Sequence, residues 1–118
     1  MLKPPTTRSK AFPKHRHHVY VVLLDDKVLN ERSFRKANPD FQFNKACLYV
    51  GMTGLTPELR LARHKAGIKG NRFVQAYGLK LVPQFYAVFN PMPLEAAQEM
   101  EVELAIGLRE EGYAVWQA

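Results

Sequence analysis

A chain of 118 residues, 47% of them hydrophobic, is long enough to bury one core and too short for two. The formal net charge of +6 favours a phosphate-bearing partner such as nucleic acid or an anionic membrane surface, without naming one. The one cysteine, Cys47, excludes an internal disulfide and fits a reducing cytoplasm; with no apolar run of signal-peptide or membrane-spanning length, the sequence reads as that of a soluble, non-exported protein.

Residues 1–16 carry three prolines and six basic residues with little periodicity, the pattern of a flexible basic arm able to touch a nucleic-acid backbone. HVYVVLL, residues 18–24, is rich in β-branched and aromatic residues and ends at Asp25-Asp26, which predicts a strand and a turn. Residues 27–45 are polar and mixed; a short helix starting at Asn30 must stop before Pro39, so this stretch is an excursion between strands. ACLYVG, ending at Gly51, is a second strand. Thr56, Pro57 and Glu58 supply the start of a helix that runs to about Lys65 and stops at Gly67. NRFVQAYG gives a short helix closed by Gly78, and LKLVPQFYAVF alternates like a third strand in which Pro83 requires an edge or a bulge. From Leu94 to Glu111 there is no proline, and Leu94, Ala97, Val102, Leu104 or Ala105, and Leu108 recur at helical spacing; GYAVWQA closes the order as a last strand. Such an order predicts a small α+β domain with a mainly antiparallel sheet.

Several side chains in this frame carry chemistry. On a helix beginning at Pro57, Arg60 and His64 are four residues apart and share a face, so a phosphate-clamping guanidinium stands beside an imidazole able to move a proton near neutral pH. Tyr49 ends the second strand just before a glycine that permits close approach, and Tyr20 holds the comparable place in the first strand. If those strands pair, both phenols reach one face; otherwise they simply pack the sheet. A phenol needs cationic neighbours to act as a base near neutral pH. Glu101 falls on the core-side stripe of the long helix, four residues after Ala97 and three before Leu104, whereas Glu99 and Glu103 point to solvent. A carboxylate on a buried face is costly unless it is paired or binds a cation. Adjacent histidines at positions 15, 17 and 18 do not converge readily on one tetrahedral ion.

HVY at 18–20, YVG at 49–51, Thr53, the Arg60-x-x-x-His64 spacing and Ala97-x-x-x-Glu101-x-x-Leu104 together resemble the GIY-YIG nuclease superfamily across residues 17–117. This resemblance implies a three-stranded antiparallel central sheet flanked by helices, with the domain at 17–118 and an insertion at about 26–45. It implies cleavage of a DNA phosphodiester with one divalent cation, Mg2+ or Mn2+. Carried over, Tyr20 or Tyr49 helps deprotonate the attacking water, with Tyr20 preferred. Arg60 holds the scissile phosphate, His64 assists proton transfer, and Glu101 is the sole protein ligand of the metal. Three features depart from the family pattern: His18 in place of glycine, the long separation of Tyr20 from Tyr49, and Gln117 near the place where many members carry asparagine. Lys65, Lys69, Asn71 and Arg72 are candidates to track a nucleic-acid backbone. Phe73 or Tyr77 could stack a base, which would favour single-stranded or distorted DNA, although core packing is the simpler role for Phe73. The alternative is a catalytically weak or inactive nucleic-acid-binding module on the same fold.

Overall fold

The computed structural model describes residues 15–118; the expected basic arm lies, up to residue 14, outside the described residues. Strand β1 (His18–Leu24) and strand β2 (Cys47–Thr53) form the antiparallel centre of the sheet, with His18 opposite Thr53 and Leu24 opposite Cys47. Val19, Tyr20, Val21 and Val22 are all buried, so β1 is covered on both faces and reads as a continuous apolar run. Strand β3 (Gly78–Leu81) pairs antiparallel with β1, strand β4 (Ala114–Gln117) pairs parallel with β2, and the sheet order is β3-β1-β2-β4.

A four-stranded mixed sheet thus replaces the expected three-stranded antiparallel one. Its origin is the crossover. Strand β3 runs opposite to β1 and therefore in the direction of β2. The long helix, residues Leu94–Glu110, then carries the chain back along the sheet, so β4 sets out in that same direction. The third strand is also shorter than its alternating pattern suggested. Pro83 has no N–H to continue a ladder, and the chain turns into two short 3-10 segments, Pro83–Phe85 and Ala87–Phe89.

Two asparagine side chains continue the pairing where strands are missing. Asn90 accepts from the Val19 N–H at 2.9 Å and donates to the Val19 carbonyl at 2.7 Å, beyond the end of β3. Asn38 does the same for the outer edge of β4, accepting from the Val115 N–H at 2.7 Å and donating to its carbonyl at 3.1 Å.

The excursion between β1 and β2 contains a 3-10 turn (Asp26–Asn30) and helix α1 (Arg32–Lys36), which starts two residues later than expected and ends before Pro39. It belongs to the core: the fully buried Phe34 ring meets Phe73 edge-on, with centroids 5.6 Å apart, and stacks on Trp116. Helix α2 (Pro57–Lys65) begins as its sequence dictates, with the Thr56 hydroxyl accepting from the Leu59 N–H and proline in the first turn. Helix α3 (Arg72–Tyr77) is capped by Asn71, whose side-chain oxygen accepts from the N–H groups of Phe73 and Val74. In the long helix, α4 (Leu94–Glu110), Ala97, Ala105 and Leu108 are buried. Leu94 and Val102, expected on the core stripe, are instead substantially exposed. Val102 is five residues from Ala97, about 140° round the helix, and so cannot share its face. No helix among the described residues is long and apolar enough to cross a membrane.

Candidate active site

The β1–β2 register sets Tyr20 opposite Gly51 and Val22 opposite Tyr49, so the two tyrosines are diagonal neighbours on one face. Their ring centroids lie 6.1 Å apart. Gly51 makes this possible, because a Cβ at that position would stand 2.7 Å from the Tyr20 hydroxyl and 3.0 Å from Tyr49 Cε2. The group admitted close to the glycine backbone is the protein's own phenol.

Helix α2 brings His64 onto the same pair. Its Nε2 is 2.8 Å from the Tyr20 hydroxyl, and its ring meets Tyr49 edge-on with centroids 5.4 Å apart. Its Nδ1 accepts from the backbone N–H of Asn71 at 2.9 Å. Both ring nitrogens are therefore engaged, and the side chain is wholly buried. Burial first, and the nearby Arg60 charge second, push the imidazole down to about 4 from the usual 6.5.

One turn earlier on α2, the Arg60 guanidinium donates to the carbonyls of Ile68 (3.4 Å) and Lys69 (2.9 Å) in the link to α3. Its charge also acts on both phenols, favouring their ionised forms. That influence is outweighed. Burial raises both hydroxyls above their ordinary range, Tyr20 the further because the neighbouring Tyr49 adds to the rise, so each rests as a neutral phenol.

Glu101 reaches the neighbourhood from α4. It is partly buried, its Oε1 accepts from Gln117 Nε2 at 3.1 Å, and its carboxylate interacts with the Met52 backbone and bears on Tyr49. Desolvation raises its carboxyl above the usual range, opposed by those two hydrogen-bonding partners. Glu99 and Glu103 are exposed, as their helical phase required. Among the described residues the one ion pair is Arg72–Glu31, so no cationic side chain neutralises Glu101. No group of three or more His, Cys, Asp or Glu side chains converges among them either. This donor set, one desolvated and uncompensated carboxylate steadied by an amide, fits a hard cation that keeps most of its water, and does not fit a closed four-ligand site. His15, His17 and His18 form no such group.

The residues expected to track a nucleic-acid backbone separate into two kinds. Lys69, exposed at a left-handed position with φ of 49°, has no side-chain partner among the described residues. The other three have structural tasks. Lys65 donates to the carbonyls of Gln75 and Gly78, Asn71 caps α3, and Arg72 binds Glu31 and Ser33 while lying over the Phe73 ring. Phe73 is buried against Phe34 and Trp116, and the Tyr77 hydroxyl donates to Glu31 at 2.7 Å. Sequence reasoning missed the Asn71 backbone contact to His64. A cap was legible in the asparagine preceding a helical segment, but a main-chain donor leaves no mark in the sequence. The chain matches no family model, no curated protein and no solved structure with which it was compared.

Proposed function

We propose that this chain is a metal-dependent endonuclease of the GIY-YIG kind that hydrolyses DNA phosphodiester bonds in a reducing cytoplasm. The observation that carries this conclusion is the convergence of Tyr20, Tyr49, Arg60 and His64 from three separate elements, with the Tyr20 hydroxyl 2.8 Å from His64 Nε2. Tyr20, once ionised, takes a proton from a water molecule as the water oxygen attacks phosphorus. Arg60, already anchored at two carbonyls, offers its charge to the phosphate oxygens. Glu101 would hold the Mg2+ or Mn2+ ion, with Gln117 orienting the carboxylate in the place where the family commonly uses asparagine. Bound there, the ion would supply stabilisation of developing negative charge. Lys69 extends the positive surface toward the nucleic-acid backbone.

The test is cleavage of labelled single-stranded and duplex DNA with magnesium, manganese or chelator, comparing wild type with Glu101→Ala. Cutting that requires both metal and Glu101 supports the proposal, and the preferred strand form defines the substrate. A second reading, a DNA-binding module without turnover, is favoured by one observation: Tyr20 and His64 are 1% and 0% exposed, so the base candidate is closed from solvent. It predicts salt-sensitive DNA binding and no cutting under any of these conditions.

A further inference from the structure

We infer that the backbone N–H of Asn71 fixes His64 as the Nε2-protonated tautomer, so that His64 donates a hydrogen bond to Tyr20 and does not receive its proton. The geometry leaves no other neutral arrangement. An N–H donor 2.9 Å from Nδ1 requires a lone pair there, and a neutral imidazole carries its single proton on the other nitrogen. That nitrogen is 2.8 Å from the Tyr20 hydroxyl oxygen, which must accept. The groups facing the ring disfavour a second proton: two phenols, Tyr20 and Tyr49, which carry no compensating charge at rest, and the Arg60 cation on its own helix.

The link from α2 to α3 is built to hold that amide in place. Asn71 is immobilised by its own capping bonds, and Arg60 grips the Ile68 and Lys69 carbonyls. Gly70 lies so close to His64 that a Cβ would be 2.9 Å from both the His64 Cα and its carbonyl oxygen. Asn71 is thus a positioning residue that acts through His64.

The catalytic consequence rests on the proposed nuclease activity. The Tyr20 O–H proton is taken by hydroxide that reaches the otherwise closed site, leaving water, and the phenolate keeps the hydrogen bond donated by Nε2–H, which stabilises its charge. The phenolate then takes a proton from the attacking water while the imidazole remains neutral throughout. His64 acts as an electrostatic support for the base and not as a second base.

Nitrogen-15 NMR of the histidine-labelled 118-residue chain, free of DNA and metal at neutral pH, reads the tautomer directly, with the His64 resonances identified by their loss in His64→Gln. The expected result is Nδ1 in the unprotonated range and Nε2 in the protonated range. A proton on Nδ1, or on both nitrogens, overturns the assignment. In cleavage assays His64→Gln, which keeps an N–H donor, should exceed His64→Leu by roughly ten- to a hundredfold. Equal loss in the two variants refutes the donor role. Absence of cutting even in wild type would remove the nuclease activity while leaving the tautomer to be decided by the spectrum.

Discussion

The excursion between β1 and β2 and the tyrosine–histidine cluster beside α2 use similar polar residues to opposite ends. In the excursion, polar groups are spent on structure. Asn38 binds the main chain of Phe34 and Val115 and accepts from Arg109, while Glu31 takes hydrogen bonds from Arg72 and Tyr77. Around α2 the groups face one another with capacity left over. Tyr20 and Tyr49 are buried phenols, Arg60 is only partly committed, and across β2 Glu101 has one side-chain partner and no counter-ion. Satisfied polar networks fix a fold, and groups desolvated without full compensation are where chemistry becomes available.

That contrast is sharpest in variants that separate activity from stability. Tyr20→Phe keeps the ring and removes only the hydroxyl, so cleavage should fall about 10²–10⁴-fold, while stability drops by only about 1–3 kcal/mol as the buried His64 N–H loses its acceptor. A proportional loss of both would erase the distinction. Asn38→Ala should do the reverse, destabilising the protein by about 2–4 kcal/mol in denaturant titration by stripping partners from Val115 and Arg109. Cleavage per folded molecule should be unchanged. Gly51→Ala lies between the two. Its methyl group collides with Tyr20 at a register position inside the sheet, so we expect about 1–3 kcal/mol of destabilisation together with a loss of activity beyond the folded fraction.

The pH responses test the same division. Because burial holds Tyr20 as a phenol and only the phenolate accepts a proton, the cleavage rate should rise up to tenfold per pH unit across neutrality. Stability should move with His64. The unfolded chain takes up a proton near 6.5 that the folded imidazole resists until about 4, so His64's contribution is fully present above the first value and lost as the pH falls toward the second. The slope, at most about 1.4 kcal/mol per unit from this group, should disappear in His64→Gln. The smallest expected effect is a gain. The Glu101 carboxyl is raised by desolvation, so its charge weakens the folded state as pH rises, and Glu101→Gln should slightly raise the denaturation midpoint of the metal-free protein.

Much of this architecture was legible in the sequence where its causes are local. The Thr56-Pro57-Glu58 start of α2, the apolar runs of β1 and β2, and the phase of Glu101 on α4 depend on nearest neighbours along the chain. The direction of β4 did not follow from its own residues, because it is set by the crossover of α4. Pattern alone also overextended β3, since alternation continued past a proline that ends the ladder. At the site, residue types and spacing singled out Tyr20, Tyr49, Arg60, His64 and Glu101. The Asn71 amide that engages His64 was invisible, because every non-proline residue carries the same donor.

The asparagines at the margins of the sheet bear on how molecules meet one another. A bare strand edge is a template on which a second chain can add a strand, and repeated addition grows fibres. Asn90 occupies both hydrogen-bonding groups of Val19, and Asn38 those of Val115, so a newcomer finds these positions already taken. Two side-chain amides therefore close these two positions to strand addition by another copy.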